Sequence, residues 1–214
     1  EEALQIKEAL GNDPEVVVVS MGPERVQKVM REALAKGADR GIHINEITEI
    51  KSDPFATSQV VANVIKDENF DLIFTGLQSD DVGSGQTGVI LGELLGMATA
   101  TLVMATEVQE GLIKVKRELE SGWFQWVTMP TPASITIQSG INQPRYPSLK
   151  GIMGAKKKEI KVVDQTTITV PEKQQSFANI YLPTAEKKTD MIEGNLDQMV
   201  SRLVEVLKTE IKVL

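Results

Sequence analysis

Strand-like runs of β-branched residues alternate with helical segments from residue 15 to residue 75, and this alternation constrains the fold more than any other feature. Glu15–Ser20 is a run of valines, typical of a strand buried on both faces. Ile42–Ile44 and Leu72–Thr75 are the next strand-like segments. Strands separated by helices imply right-handed crossovers, so the sequence predicts an α/β fold with a mainly parallel sheet and flanking helices.

The helices between these strands have recognisable ends. Glu1–Leu10 carries apolar residues at helical spacing, which predicts a helix that opens the chain. Pro23 is expected in the first turn of the next helix and Gly37 at its end. A further helix is expected over about Phe55–Lys66.

The pattern changes after about Ala100, where short strand-like segments follow one another through turns that contain Gly or Pro. We expect them to extend the parallel sheet as an antiparallel meander. The segments are Thr101–Val108, Leu112–Leu119, Trp123–Met129 and Ser134–Gln138, with hairpin signals at Glu110-Gly111 and Ser121-Gly122. Trp123 and Trp126 flank one hairpin, and covering a sheet face is their expected role.

The last part of the chain is predicted to be an irregular arm that ends in a helix. Ser139 to Thr189 lacks clear periodicity, and a segment of this length usually serves a function or a partner. Asn195 and Gln198 have capping-box spacing ahead of an amphipathic stripe. We therefore expect a nucleotide-binding-like domain over residues 1–160 and a C-terminal arm over 161–214.

Composition excludes several classes of function. The chain has no cysteine, so thiolate chemistry is excluded, and His43 is its one histidine, which leaves little for a zinc site or a catalytic triad. We expect His43 on the polar face of a strand. A net charge of −7 argues against nucleic acid as the main partner. The apolar runs are too short to span a bilayer, and a cytoplasmic location is expected.

A glycine-rich loop, Gly76–Gly88, follows the third strand and precedes a helix. Loops at this end of a parallel sheet commonly bind ligands, and a helix N-terminus favours an anion. The loop matches neither the dinucleotide fingerprint nor the P-loop. Asp80 and Asp81 suit hydrogen bonds from ribose, from backbone amides or from water better than a phosphate. The residues alone leave two interpretations open, a nucleotide site and a connection without a ligand. Two adjacent carboxylates are weak evidence for magnesium.

Several segments, read together, resemble the β subunits of electron-transfer flavoproteins. Their order along the chain is that of the family, and they cover most of residues 1–160. The segments are Glu15–Pro23, Ala35–Gly41, the loop end Gln86–Gly88, the signature-like Val115–Gly122 with its continuation to Pro132, and Asn142–Lys158.

The resemblance implies a heterodimer with a larger α subunit that makes most of the FAD contacts, while AMP binds in this subunit. It assigns AMP to a strand end and to the glycine loop. The residues implied are Ser20, Met21, Gly76, Gln78, Asp81, Ser84, Gly85, Gln86 and Thr87. Members of the family carry a further strand and loop before the first helix seen here, so this segment is expected to be missing.

The resemblance also implies that Glu118 lies near the flavin and that Leu149 anchors a flavin dehydrogenase from a docking loop, residues 142–158. Other docking residues implied are Arg145, Tyr146, Ile152 and Met153, beside a cluster of lysines at 150 and 156–158. An exposed apolar anchor among charges suits transient docking. The arm is expected to pack on the α subunit.

Some positions depart from the family pattern. Ser121 and Ser134 replace signature residues, and Gly85 stands where asparagine is common. The loop around Val82–Ser84 does not resemble that of bifurcating relatives, which favours AMP over a second FAD. The C-terminal segment is most similar to bacterial members that serve amine dehydrogenases. The alternatives are a stand-alone nucleotide-binding module of the universal-stress type and, less favoured, a nucleotide hydrolase.

Overall fold

A computed structural model describes residues 1–11, 13–47, 50, 53–182 and 189–213. The chain divides into two compact units, Glu1–Ser176 and Phe177–Leu214. In the first unit the described residues form five α-helices and eight β-strands. The helices are α1 (Glu2–Ala9), α2 (Val26–Lys36), α3 (Pro54–Ile65), α4 (Thr87–Leu94) and α5 (Leu149–Ala155). The strands are β1 (Val17–Gly22), β2 (Arg40–Asn45), β3 (Leu72–Gly76), β4 (Ala98–Gln109), β5 (Leu112–Glu118), β6 (Phe124–Pro130), β7 (Ala133–Ile137) and β8 (Ile160–Val163).

The strands form two sheets. The first has the order β1-β2-β8, and all its pairs are parallel. The second has the order β3-β7-β4-β5-β6, with β3, β7 and β4 parallel and the two outer hairpins antiparallel. This arrangement confirms the predicted α/β class, with a parallel part flanked by helices and an antiparallel extension.

The apolar positions of the parallel strands form the core. Ile42 and Ile44 of β2 are fully buried and pack with α3, where Val60 is also fully buried. A second cluster lies on the second sheet around Val103 and Ile135. Burial on both faces explains why these strands consist mainly of apolar residues rather than alternating with polar ones.

One predicted meander strand is placed differently. The segment Ser134–Gln138 was expected to continue the antiparallel meander, but β7 inserts between β3 and β4, parallel to both. Four of its residues, Ala133 to Thr136, are buried. Ser134 lies under α4, so a strand that looks partly polar in sequence belongs to the interior.

The prediction that Ser139–Thr189 is irregular is wrong for its first part. Helix α5 begins at Leu149 with Ser148 as N-cap, whose hydroxyl accepts a hydrogen bond from Gly151 N. Strand β8 pairs with the free edge of β2. Helix α5 has seven residues, two of them glycine, so it is too short for periodicity to reveal it.

The predicted polar face for His43 is also wrong. His43 lies in β2 as expected but is fully buried. Its Nε2 lies 2.9 Å from Gly22 O, and its Nδ1 lies 3.2 Å from Nε2 of Gln27. These two partners satisfy both ring nitrogens, which makes burial of a polar ring tolerable.

The second unit contains α6 (Leu196–Val206), which confirms the predicted C-terminal helix. Asn195 and Gln198 form the predicted capping box: Asn195 Oδ1 accepts from Gln198 N, and Gln198 Oε1 accepts from Asn195 N. The apolar stripe of the helix includes Val200 and Leu203, which are half exposed.

Candidate functional site

A cavity of about 710 Å³ lies against the two edge strands β1 and β3. Helices α1, α3 and α4 also contribute to its walls. Three of the residues predicted to bind AMP line this cavity, namely Ser20, Met21 and Thr87, and Thr75 lies beside them. The structure therefore brings together the predicted strand end and the start of the helix after the glycine loop.

The position of these residues follows from the parallel topology. Ser20 and Met21 stand near the carboxyl end of β1, in register with His43 and Ile44 of β2. Thr75 stands near the carboxyl end of β3. Ligands of parallel α/β sheets bind outside the carboxyl ends of the strands. The cavity reaches this edge, and it also extends along β1 and β3 to Val17 and Leu72 at their amino ends.

The glycine loop needs two of its glycines for backbone reasons. Gly83 and Gly85 have φ of 65° and 61°, conformations that favour glycine. Helix α4 then begins after Gln86, which provides no side-chain cap. The first amides of α4 are therefore oriented as a helix N-terminus that favours a negatively charged group.

The other predicted AMP residues lie on the surface of this loop and do not line the cavity. They are Gly76, Gln78, Asp81 and Ser84, all exposed, together with half-buried Gly85 and exposed Gln86. The Ser79 hydroxyl and the Val82 amide donate to the Asp81 carboxylate, and these hydrogen bonds hold the pKa of Asp81 below its usual value. Asp81 is thus an ionised acceptor, which suits hydroxyl groups better than phosphate.

Two serines that the sequence analysis did not assign to the site hold the start of α4. Ser134 Oγ donates to Gly88 O over 3.0 Å, and Ser58 Oγ lies 3.1 Å from Thr87 O. Thr75 Oγ1 is buried and has no hydrogen-bond partner among the described residues. A Cβ at Gly88 would lie 2.1 Å from this oxygen, so Thr75 packs directly beneath the first turn of α4.

The predicted docking loop carries an exposed apolar surface, which we call the docking patch. It consists of Tyr146, Leu149, Ile152 and Met153, with exposed fractions of 91%, 83%, 44% and 69%. Leu149, Ile152 and Met153 lie on α5 at positions i, i+3 and i+4, which place them on one face. The structure thus brings three of the predicted docking residues onto one helix face, and Tyr146 lies exposed three residues before it.

Arg145, the remaining predicted docking residue, faces inward to α1. Its guanidinium pairs with the carboxylates of Glu1, at 2.9 Å, and Glu8, and its main-chain amide donates to Glu1 over 3.0 Å. The hydrogen bonds from Arg145 lower the pKa of Glu1 to about 2 although burial opposes ionisation. Arg145 therefore fixes the docking loop to the first helix.

The lysines of the loop also divide into two roles. Lys158 donates to the carbonyl oxygens of Leu34 and Ala38 at the end of α2, so it secures the fold. Lys150, Lys156 and Lys157 are exposed. In the opposite direction, from α2 to the end of α5, Arg31 donates to the carbonyl oxygens of Ala155 and Lys158.

Glu118, predicted to lie near the flavin, stands at the end of a basic and aromatic sheet face. Its carboxylate accepts a hydrogen bond from Gln138 Nε2 over 2.9 Å. Further along the same face, Lys116 Nζ lies 4.1 Å from the centre of the Phe124 ring. Lys114 makes the same type of contact with Trp126, at 4.4 Å. Phe124 and Trp126 both remain 45% exposed. Trp126 therefore covers a sheet face, as predicted, but this face is partly open to solvent and is not a buried core.

No helix in the described part of the chain is long and apolar enough to cross a membrane. Over the same residues, no group of three or more His, Asp or Glu side chains has a geometry that could hold a metal ion.

These features together define a class: an α/β domain with a cavity between two edge strands and an exposed apolar helix face. A family model for the electron transfer flavoprotein domain matches residues 1–168. The chain is 37% identical to the electron transfer flavoprotein subunit beta of Methylophilus methylotrophus over 97% of this chain and 81% of that protein. It is 33% identical to the Bacillus subtilis subunit beta over 100% of this chain and 84% of that protein.

The match to a Bradyrhizobium diazoefficiens subunit beta reaches 43% identity over a shorter region, 75% of this chain and 63% of that protein. This chain belongs to the electron-transfer flavoprotein β-subunit family. That result confirms the resemblance seen in the sequence and identifies the chain as an electron-carrier subunit rather than an enzyme in its own right.

Proposed function

We propose that this subunit holds AMP, shares an FAD that is bound mostly by an α subunit, and docks transiently on a flavin dehydrogenase to pass electrons to an acceptor. The observation that carries the proposal is the docking patch. A leucine that is 83% exposed, at the start of a helix whose flanks are fixed, is the type of anchor that such docking needs.

Preorganisation supports this use of the patch. An anchor that is already held in its binding conformation loses less conformational entropy on association. Arg145 ties the loop before α5 to α1, and Arg31 ties its end to α2. In the middle, Gly151 lets α5 approach closely, since a Cβ there would lie 2.2 Å from Ala35 O.

AMP binding is supported by the cavity and by the start of α4. Thr87 lines the cavity, and with the first amides of α4 it suits the phosphate. Ser20 and Met21 suit the nucleoside end because they line the opposite wall on β1. Asp81 suits the ribose hydroxyls. AMP serves as a structural ligand in this proposal and takes no part in redox chemistry.

Sharing of the flavin is supported by the position of Glu118 on an exposed, partner-accessible face. When bound, FAD supplies the redox chemistry, and the protein sets its position and its electrostatic surroundings. Glu118 contributes a negative charge, while Lys116 and Lys114 of the same face contribute positive ones. The exposed apolar stripe of α6 supports the packing of the arm on the α subunit.

The test replaces Leu149 by alanine in the purified heterodimer. We expect the rate of flavin reduction by the dehydrogenase to fall by about tenfold or more, because the anchor leaves its pocket partly empty. Val29→Ala is the matched control, since Val29 is 64% exposed on α2 and lies outside the patch. An unchanged rate in Leu149→Ala, with the heterodimer and its flavin spectrum intact, would contradict the proposed docking site.

The nucleotide is tested separately by denaturing the heterodimer and identifying what it releases. One AMP and one FAD per heterodimer are expected. Release of a second FAD, or of no adenine nucleotide other than FAD, would contradict the AMP assignment.

A further inference from the structure

Asp53 is a fully buried carboxylate that joins two distant parts of the chain. As N-cap of α3, its Oδ1 accepts hydrogen bonds from Phe55 N at 2.9 Å and Ala56 N at 3.1 Å. Its Oδ2 accepts from Gln174 N at 2.6 Å and Gln175 N at 3.2 Å. One oxygen therefore caps a helix, and the other holds a main-chain segment 121 residues further along.

The ionised form of Asp53 suits this arrangement. Burial alone raises the pKa of the carboxyl group, but the four main-chain amides outweigh it, and the net pKa lies below its usual value. Hydrogen bonds from neutral donors to a buried charge are stronger than those between neutral groups. The contact is therefore suited to hold a segment that has little else to fix it.

The held segment is the last part of the first unit. After β8 the chain makes a short helical turn at 165–167 and then continues without helix or strand through residue 176. The side chains of Gln174 and Gln175 are exposed, so their contact with Asp53 is made by the main chain. The second unit begins at Phe177, two residues after Gln175.

We propose that Asp53 is a positioning residue for the part of the arm beyond Ser176: it fixes the main chain from which that part continues and so preorganises it for the α subunit. This inference rests on the proposed packing of the arm on that subunit. A fixed root reduces the volume that a tethered segment explores and raises its effective concentration at its binding site. Loss of the contact should therefore weaken assembly without removing any residue that touches the partner.

Asp53→Asn separates the two roles of the carboxylate. Asparagine caps helices about as well as aspartate, so its single oxygen can keep the cap of α3. Its amide nitrogen cannot accept from Gln174 N or Gln175 N. Asp164→Asn is the matched control, because Asp164 caps the turn at the start of the same connection through Thr166 and is exposed.

The first readout is amide hydrogen exchange of a peptide that contains Gln174 and Gln175. We expect faster exchange there in Asp53→Asn, and unchanged exchange in α3. The second readout is the dissociation constant of the heterodimer, which should rise by about tenfold, the range set by a hydrogen bond to a charged group. Unchanged exchange or unchanged affinity would overturn the proposal.

A double-mutant cycle with Leu203→Asp distinguishes positioning from general destabilisation. Leu203 lies on the apolar stripe of α6 and is half exposed, and its replacement should weaken the heterodimer by preventing the arm from packing. If Asp53 acts through the arm, Asp53→Asn has little further effect in that background. Additive losses would overturn the positioning role. A heterodimer unaffected by Leu203→Asp would instead reject the arm's proposed partner contact, and the inference with it.

Discussion

Ser134 Oγ donates a hydrogen bond to Gly88 O over 3.0 Å, and this bond joins β7 to the first turn of α4. The helix lies so close to the sheet at this point that only glycine fits. A Cβ at Gly88 would lie 2.1 Å from Thr75 Oγ1 and 2.8 Å from Thr136 Cγ2. Small residues on both surfaces thus bring the N-terminus of α4 to the wall of the cavity.

Gly88→Ala is expected to destabilise the chain by about 1–3 kcal/mol, the usual cost of overpacking. Helix α4 has to move away from β3 and β7, which lengthens the Ser134 bond and displaces Thr87 from the cavity. The measurements are the free energy of unfolding from urea denaturation and the AMP content of the purified heterodimer, and both should fall.

Gly154→Ala is the control for helix propensity. Gly154 lies in α5, and a Cβ at this position would meet no atom within 4 Å. Alanine there should be neutral or stabilising by up to about 1 kcal/mol. Equal stability changes in the two variants would contradict the close packing of α4 on the sheet.

Arg145→Gln is expected to loosen the docking loop in a pH-dependent way. The pKa of Glu1 is lowered to about 2 by Arg145, from an ordinary value of 4.5. Because the folded-state pKa is depressed, the pair stabilises the folded state above about pH 4.5, and the contribution disappears as the pH falls toward 2. Stability is measured by urea denaturation at pH 7 and at several values down to pH 3.

At pH 7 the variant should lose about 1 kcal/mol, since Arg145 is one-third exposed and solvent weakens the pair. The difference from the parent protein should shrink at each step below about pH 4.5. Lys7→Gln, which removes the other ion pair of α1, with Asp39, serves as a control for general weakening of that helix. A difference that is the same at pH 7 and pH 3 would contradict the role assigned to Glu1.

The parallel strands and their helices could be predicted because each has a local signal strong enough to stand alone. Runs such as that in β1 identify buried strands, and Gly37 ends α2 with φ of 141° as expected. The capping box of Asn195 and Gln198 identified α6 in the same way. These signals depend on neighbouring residues only.

Contacts between residues that are far apart in the chain could not be predicted from the sequence. The position of β7 between β3 and β4 depends on Gly88 and Gly92 of α4, which leave room for Thr136 and Ser134. Arg145 looks like a docking charge until Glu1 and Glu8, more than 130 residues away in the chain, are placed beside it. Asp53 likewise gains its second pair of donors only from the folded chain.

The family resemblance supplied the predictions of a docking loop and a nucleotide loop, and the structure adds which residues hold these two segments in place. Leu149 and Met153 share a helical face that the sequence alone treated as part of a loop. Thr75 and Ser58, which no motif contains, contact or face the first turn of α4. Supporting residues of this type leave no local pattern, because their partners come from other elements.

His43→Leu is expected to destabilise the chain although histidine and leucine are similar in size. Gly22 O can only accept, so Nε2 of His43 carries the hydrogen, and Nδ1 accepts from the Gln27 side chain. Leucine removes this donor, and Gly22 O keeps the hydrogen bond from Glu46 N at 3.1 Å. The expected loss is therefore that of one hydrogen bond, about 0.5–1.5 kcal/mol. Since Gly22 ends the strand that carries Ser20 and Met21, the AMP content of the heterodimer should fall as well.

Gln27→Leu is the matched control, because it removes the other hydrogen bond of the same ring. Gln27 is half-buried, so water can replace its amide at the Nδ1 side, and the loss should stay below about 1 kcal/mol. Urea denaturation of both variants gives the comparison. If His43→Leu were as stable as the parent protein, the hydrogen bonds of the His43 ring would contribute nothing to stability. The proposed stabilisation of the end of β1 by His43 would then be wrong.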